Sequence, residues 1–163
     1  MLLPFDVLAT DSGSRARRGV LITSHGRVDT PAFMSVGTRA TVTGLDPLDL
    51  AALGAQVLLA NTYHLMLRPG PELFQRVGGI HAFMGWQGPV LTDSGGYQIF
   101  SLSEDRSVSE EGAHFRSYVD QRKLLLSPER SIAMQCAIGS DIMMVLDVCV
   151  DSNSDTETTR AAM

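Results

Sequence analysis

The chain has 163 residues, of which 44% are hydrophobic and 19% are charged, and its formal net charge is −5. This length suits one domain or part of a larger one, and the composition supports a packed core and excludes wholesale disorder. The acidic balance argues against a surface coated in basic charge for bulk nucleic-acid binding, although a local basic patch stays compatible with it.

Cysteine usage indicates a reducing compartment, and the hydrophobic pattern argues against secretion and membrane insertion. The two cysteines, Cys136 and Cys149, lack CxxC spacing and cannot form a structural zinc site by themselves. The first residues lack the basic and apolar regions of a signal peptide, and no run approaches the roughly 18 apolar residues of a membrane span. We therefore expect a soluble, cytoplasmic protein with no membrane contact and no metal ligands of its own.

Residues 1–30 are predicted to form an N-terminal β region. Val20–Thr23 is a strand candidate, Ser24–Gly26 is a tight turn, and Val28–Thr30 is the returning strand. Residues 31–163 then alternate apolar strands with helices. The first of these helices has Asp46 as its N-cap, Pro47 at its first position and Gly54 at its end.

The later elements follow the same alternation. Predicted strands cover residues 31–36, 55–60, 89–92 and 141–146, and predicted helices cover residues 72–77, 127–139 and 156–163. The helix after Ser127 is expected to turn four residues inward: Ile132, Ala133, Cys136 and Ala137. An excursion at residues 101–126 breaks the rhythm, with a polar turn at residues 107–112 and hairpin arms at residues 114–119 and 123–126.

Polar residues follow each strand of the alternating region. These groups are Gly37-Thr38, Asn61-Thr62-Tyr63-His64, Asp93-Ser94-Gly95-Gly96 and Asp147-Val148-Cys149. Uniformly apolar strands favour a parallel sheet covered on both faces, and a (β/α)8 barrel builds its site at the C-terminal ends of such strands. Because that barrel takes about 250 residues, the predicted fold is α/β: a partial TIM barrel of about the first four β/α units, with an N-terminal antiparallel β-sheet.

The segment Val90–Phe100 carries the densest functional signal. An apolar strand ends in Asp93 and Ser94, followed by Gly95, Gly96 and Tyr97. Asp-Ser-Gly-Gly is also good turn chemistry, so a plain turn is the alternative to an active-site mouth. The Ser94 hydroxyl and the glycine N–H groups could hold a ligand oxygen. Tyr97 could stack on a planar base, or it could be a core aromatic residue.

Two carboxylates, Asp93 and Asp147, end separate strands. One could transfer protons as a general acid/base, and the other could accept hydrogen bonds from the edge of a purine-like base. A carboxylate pair also suggests glycoside chemistry. His64 is interpreted as a hydrogen-bonded structural residue that also walls the site, and Cys149 as a small packed residue.

Seven segments in order along the chain resemble bacterial tRNA-guanine transglycosylases, also called queuine tRNA-ribosyltransferases. They are Thr30–Met34, Asn61–Gly70, Phe83–Trp86, Leu91–Gln98, Ser109–Gly112, Leu126–Arg130 and Gly139–Asp141. The resemblance implies a single catalytic barrel, of which residues 1–163 are the N-terminal part. Residues 1–30 correspond to the added β region and residues 31–163 to the first half of the barrel.

The resemblance also implies a reaction. At the tRNA wobble position, within a GU-containing anticodon, guanine is exchanged for a 7-deazaguanine precursor of queuosine through a covalent tRNA–enzyme intermediate. Carried over by motif, Asp93 is the acid/base, Ser94, Gly95, Gly96 and Tyr97 line the base pocket, and Asp147 reads the N–H edge of the purine. Cys149 belongs to the pocket wall, and Asn61 lies near the ribose.

Two departures from the family pattern accompany this resemblance. Val148 stands where bacterial members often have glutamate, which bears on the substituent of the incoming base. The nucleophilic aspartate, the structural zinc with its Cys and His ligands, and much of the basic tRNA surface are expected beyond residue 163. The chain alone is therefore expected to be inactive, and the full-length protein is expected to act as an enzyme. The resemblance also allows a homodimer.

Two other functions remain open on the sequence. The chain could be a non-catalytic partner subunit that completes a barrel with another chain, because the last strand of a half-barrel leaves an unpaired edge. It could also belong to an unrelated barrel glycosidase that uses Asp93 and Asp147.

Overall fold

The computed structural model describes residues 3–102 and 106–162. An antiparallel sheet of three strands opens the chain, formed by β1 (Phe5–Thr10), β2 (Arg17–Thr23) and β3 (Gly26–Thr30) in that order. Every residue of β1 is exposed, whereas Val20 and Val28 are buried. The predicted N-terminal antiparallel sheet is confirmed, and β1 adds a strand that the sequence pattern did not reveal.

A parallel sheet of four strands follows. Its members are β4 (Ser35–Val36), β5 (Leu58–Ala60), β6 (Val90–Thr92) and β10 (Ile142–Met143), and their spatial order is β10-β6-β5-β4. Neighbours in space are therefore neighbours in chain order among these strands. Leu58 pairs with Val90 in the middle of the sheet, and both side chains are fully buried. The predicted parallel sheet with a buried core is confirmed.

Seven helices accompany these strands in the described part of the chain, and the last of them follows the final strand. They are α1 (Pro47–Ala52), α2 (Thr62–Leu67), α3 (Pro71–Val77), α4 (Ile80–Met84), α5 (Gly96–Leu102), α6 (Pro128–Ile138) and α7 (Thr156–Ala161). The predicted caps are present: the Asp46 carboxylate accepts from the Leu48 and Asp49 N–H groups, and Ser127 Oγ accepts from the Arg130 N–H. The short helices α2, α4 and α5 were not predicted.

A second antiparallel sheet forms the excursion between β6 and β10. It contains β7 (Ser107–Ser109), β8 (Gly112–Arg116) and β9 (Lys123–Leu126), with β8 in the centre. The predicted hairpin is confirmed, but the polar turn predicted at residues 107–112 was wrong in its first half, which is β7. The first arm also ends at Arg116, because the Ser117 N–H bonds the Arg122 carbonyl and closes the loop. Residues 103–105 of the predicted excursion lie outside the described residues.

The last predicted strand, residues 141–146, was too long. Only Ile142 and Met143 pair with β6, opposite Leu91 and Thr92, and the Met144 N–H makes one further bond to the Thr92 carbonyl. Because β6 itself ends at Thr92, its ladder offers no partner further along, and Val145 is 73% exposed.

The inward face predicted for α6 was also wrong. Ile132, Ala133 and Cys136 are exposed, and Ala137 is half-buried. The buried face instead consists of Ser131, Met134, Gln135 and Ile138. The prediction chose the stripe with the most apolar residues, whereas the helix buries two polar side chains that bond the ends of the neighbouring strands.

Candidate functional site

Three neighbouring strands deliver polar side chains to one edge of the parallel sheet. Asn61 follows β5, Asp93 follows β6, and Asp147 lies four residues after β10. Strand β6 is central, with β5 on one side and β10 on the other. The carboxyl ends of parallel strands share one edge, so the sequence-predicted residues of separate segments come together here.

The Asp93 carboxylate is the most completely bonded group at this edge. Its Oδ1 accepts from the Thr62 N–H at 2.8 Å, and its Oδ2 accepts from Gln98 Nε2 at 2.9 Å and from Asn61 Nδ2. Thr62 Oγ1 also donates to the Asp93 carbonyl oxygen at 2.5 Å. These donors fix the orientation of the carboxylate, as a proton-transferring group requires.

Ser94 links the Asp147 carboxylate to the segment that contains Asp93. Its hydroxyl donates to Asp147 Oδ1 at 2.8 Å and accepts from the Gly96 N–H at 3.2 Å. The Ser94 carbonyl in turn accepts from Ser131 Oγ of α6 at 2.7 Å. Asp147 is therefore held on Oδ1 by Ser94, and its Oδ2 accepts a long hydrogen bond from Cys149 Sγ at 3.6 Å.

Two glycines allow this close packing. Gly95 has a φ of +90°, and a Cβ there would lie 3.1 Å from Leu126 Cδ2 and 3.4 Å from the Tyr63 backbone nitrogen. A Cβ on Gly96 would lie 2.6 Å from the Asp147 carbonyl oxygen and 3.1 Å from its Oδ1. The glycine pair thus brings the Asp93 and Asp147 segments together.

Tyr97 is 62% exposed at the start of α5. The core-aromatic interpretation of this residue is therefore wrong, and its ring is accessible from solvent. Gln98, the next residue, is buried and holds Asp93.

The pKa values of two neighbouring side chains, Cys149 and His64, are shifted in directions that limit their chemistry. Burial, and then the Asp147 carboxylate, raise the pKa of the Cys149 thiol, so Cys149 stays protonated at neutral pH and is a poor nucleophile. Burial, and then the Arg39 charge, lower the pKa of His64 against an opposing effect of Asp93. His64 is consequently a neutral imidazole at pH 7.

The sequence reasoning missed four polar residues that support the site. Thr62 and Gln98 bond Asp93, and Ser131 bonds Ser94. Gln135 bonds Met144, three residues before Asp147. Thr62 and Gln98 stand inside the quoted motifs and could have been found from their adjacency to Asn61 and Tyr97. Ser131 and Gln135 have no local signal beyond their spacing of four on one helix face.

A separate cluster lies near the opposite ends of the strands. Asp141 precedes β10, and its fully buried carboxylate accepts from the Val90 N–H at 3.0 Å and lies 2.8 Å from His25 Nδ1 and 3.3 Å from His81 Nε2. The ligand atoms of these three side chains all lie within 4.8 Å of one another. The two imidazole rings stack 3.5 Å apart at 14°, however, so their in-plane lone pairs cannot meet at one ion without reorientation. The arrangement connects the β2–β3 turn to the parallel sheet.

These features define the class: an α/β protein with a carboxylate-based site at the carboxyl edge of a parallel sheet. The profile of the family described as queuine tRNA-ribosyltransferase matches residues 11–163. The chain is 55% identical over 145 residues to a queuine tRNA-ribosyltransferase of Desulforudis audaxviator and 54% identical over 145 residues to that of Listeria welshimeri. It is 52% identical over 160 residues to that of Thermus thermophilus. The chain therefore belongs to the queuine tRNA-ribosyltransferase family, a family of transferases, as the motifs predicted.

These alignments cover most of this chain but less than half of each relative. The Desulforudis match covers 89% of this chain and 39% of the relative, and the Thermus match covers 98% and 42%. The chain thus spans about two fifths of the length of these relatives. Within the described residues, no helix is both long enough and apolar enough to cross a membrane.

Proposed function

We propose that this chain supplies the base pocket and the acid/base group for guanine exchange at the tRNA wobble position. One observation carries the proposal: Asp93, held by Asn61, Thr62 and Gln98, shares one sheet edge with Asp147. Family membership gives that edge its reaction. The glycosidase alternative has no comparable support, because the relatives carry the name of a tRNA-ribosyltransferase.

Each side chain has a task in this reaction. Tyr97 stacks on the planar base, and Asp147 accepts from the N–H edge of the purine through the oxygen that Ser94 leaves free. Asn61 lies beside the ribose, and the Gly95 and Gly96 segment lines the pocket with Ser94 and Cys149. When the incoming 7-deazaguanine attacks the covalent intermediate, its ring nitrogen forms the bond to C1′ and gives its proton to Asp93. The bond from C1′ to the nucleophilic carboxylate breaks in the same step, and that carboxylate leaves as the anion.

The remaining parts of the enzyme are proposed outside this chain. The partial TIM barrel closes with strands beyond residue 163, and the same region supplies the nucleophilic aspartate. The chain by itself is therefore inactive. Homodimer formation and a cytoplasmic location belong to the same proposal.

The family's structural zinc is also proposed outside this chain. In the described segments, the one group of three possible ligands is His25, His81 and Asp141, which contains no thiolate. That donor set does not fit a Cys-and-His zinc site. Val148 is 47% exposed beside the pocket, where it offers the incoming base an apolar surface in place of a carboxylate.

Equilibrium binding of guanine tests the base pocket directly. We expect Asp147→Asn to weaken guanine binding at least tenfold, because one N–H of the base loses its charged acceptor. Arg76→Gln, which removes a charge from the exposed last turn of α3, is the control and leaves binding unchanged. Equal affinity of the parent chain and Asp147→Asn would show that this edge is not the base pocket.

A second function is favoured by one observation. β10 pairs only with β6 among the described residues, and Met144 and Val145 beyond it are exposed. A barrel completed by a separate chain would cover this edge, so a non-catalytic partner subunit is the alternative.

A further inference from the structure

A cationic pocket adjoins the candidate site on the same side of the parallel sheet. Arg39, His64, Arg68, Tyr118 and Val119 line a cavity of about 250 Å³. Arg39 follows β4, His64 and Arg68 belong to α2 and its C-cap, and Tyr118 belongs to the loop after β8. Three separate chain segments therefore converge on this cavity, which we call the arginine pocket.

The contacts inside the arginine pocket order its walls and leave its charges available. Tyr118 Oη lies 3.0 Å from His64 Nδ1 and accepts from Arg39 Nη2 at 3.5 Å. The Tyr118 ring also packs against the Tyr63 ring, whose centroid is 6.1 Å away. Within residues 3–102 and 106–162, neither Arg39 nor Arg68 forms an ion pair with a carboxylate. Two guanidinium groups thus face one cavity, and the described residues place no carboxylate in an ion pair with either.

This local charge contrasts with the chain as a whole. The formal net charge is −5, so two arginines that face one cavity form a local positive region on an acidic chain. Planar guanidinium groups suit bidentate recognition of phosphate oxygens, and a tyrosine hydroxyl and an imidazole supply further hydrogen bonds. The donor set fits an anion with several oxygens.

The position of the pocket relates it to the base site. Asn61, which bonds Asp93, is the N-cap of α2, and His64 lies on the first turn of the same helix. In a nucleotide the phosphate is attached to the ribose that carries the base. A nucleotide whose base enters the Asp93 edge therefore extends its backbone toward a neighbouring surface, and α2 presents such a surface.

We propose that the arginine pocket binds a backbone phosphate of the RNA substrate, next to the nucleotide whose base enters the site. This inference rests on the proposed function for the choice of RNA. Arg39 and Arg68 supply the charge, Tyr118 orients Arg39, and neutral His64 contributes a hydrogen bond. The pocket adds a specific phosphate contact to a chain whose overall charge opposes nucleic acid.

Two probes test the pocket on the 163-residue chain. The first is inorganic phosphate, followed through the side-chain N–H resonances of Arg39 and Arg68. The second is a short RNA stem-loop with a GU-containing loop, whose binding is measured by fluorescence anisotropy between 50 and 200 mM salt. A plot of the logarithm of the binding constant against the logarithm of the salt concentration should steepen by about 0.7 for each single-strand phosphate contact.

We expect phosphate to shift both resonances. Arg39→Gln and Arg68→Gln should each weaken RNA binding about tenfold and reduce the salt slope by about 0.7 to 1. Arg39→Lys should keep the slope, because the charge remains. The control Arg76→Gln changes the net charge equally, near the opposite end of the sheet, and should alter neither quantity.

Several outcomes overturn the inference. They are unshifted arginine resonances, equal effects of Arg76→Gln and Arg39→Gln, and a change of oligomeric state in Arg39→Gln with RNA binding unaltered, which would make the pocket a protein interface. Guanine binding separates this inference from the proposed function. If Asp147→Asn leaves guanine binding intact while the arginine variants lose RNA affinity, the base-pocket assignment fails and the phosphate pocket stands.

Discussion

Asp93 shows how individual residues prepare this site. Three donors from two segments converge on one carboxylate, and two of them, Asn61 and Thr62, are consecutive residues at the start of α2. Gln98 Oε1 is buried and has no hydrogen-bond partner among the described residues. Leaving a buried acceptor unpaired costs stability, and a bound ligand that donates a hydrogen bond to Gln98 Oε1 would remove that cost.

Gly96 is the residue at which the site tolerates least change. In Gly96→Ala, the new methyl group would meet the Asp147 carbonyl oxygen at 2.6 Å and displace the Asp147 segment. We expect a loss of about 1 to 3 kcal/mol in the free energy of unfolding, measured by urea denaturation, together with weaker guanine binding. Gly13→Ala is the control, because a Cβ there meets nothing nearer than 3.6 Å. Equal stability of the two variants would contradict the close packing.

The His25–His81–Asp141 cluster makes folding stability depend on pH. Burial, and then the charge of His25, lower the pKa of His81 below its ordinary value of about 6.5. The unfolded chain consequently takes up the His81 proton first as the pH falls. The free energy of unfolding should decrease from about pH 6.5 downward through the folded-state pKa of His81.

Asp141 extends this loss at lower pH. Burial alone would raise its pKa, but the Val90 N–H and His25 outweigh that effect and hold the pKa below its ordinary value. Its stabilising contribution is therefore lost as the pH falls through that lowered pKa. Urea denaturation between about pH 2 and pH 8 measures both effects, because the Asp141 contribution is lost below its ordinary pKa of about 3.9. His81→Gln should flatten the upper part of the curve, and an unchanged curve in this variant would refute the assignment.

At the scale of elements, α6 illustrates a buried polar face with a positioning role. Gln135 Nε2 donates to the Met144 carbonyl at 2.9 Å, and Gln135 Oε1 accepts from the Met144 N–H at 3.0 Å and from Thr92 Oγ1 at 2.8 Å. One side chain thus adds to the backbone bonding of Met144 where β10 has ended, because the Met144 N–H also donates to the Thr92 carbonyl. This bonding lies three residues before Asp147.

Gln135→Leu should test that role. Removing the amide leaves the Met144 N–H and carbonyl without their side-chain partner, which should cost about 2 to 4 kcal/mol of unfolding free energy. Hydrogen exchange of the Met144 amide should also accelerate. The same substitution at exposed Gln75 on α3 is the matched control. Unchanged protection of Met144 in Gln135→Leu would contradict this account.

The elements also show which signals the sequence carried. Periodicity and capping residues predicted β5, β6, α1, α3 and α6, because each has an apolar core or a local hydrogen-bonded cap. The helices α2 and α5 were not predicted because their polar residues, such as Asn61 and Gln98, bond other residues of the site and resemble loop residues. The buried face of α6 was predicted wrongly because tertiary hydrogen bonds determine that face, and they leave no local signal in the sequence.

In the whole molecule, the order of the parallel strands determines where the polar residues meet. The four parallel strands lie side by side in chain order, so polar residues that follow separate strands meet at one edge. The motifs predicted the residues of that edge, including Asp93, Ser94 and Asp147. Their hydrogen-bond partners required the three-dimensional structure. The chain spans about two fifths of the length of its relatives, so the proposed exchange is best measured with the remaining region of a relative joined to it.

The most direct measurement is labelled-guanine incorporation into tRNA by a chimera. Residues 1–163 would be joined to the remainder of the Thermus thermophilus relative, which aligns with this chain over 160 residues. We predict that the chimera exchanges guanine, that the 163-residue chain alone does not, and that Asp93→Asn slows the chimera about 10²- to 10⁴-fold while tRNA binding persists. Exchange by Asp93→Asn within about twofold of the parent chimera, at equal circular dichroism, would contradict the assignment of Asp93 as the acid/base.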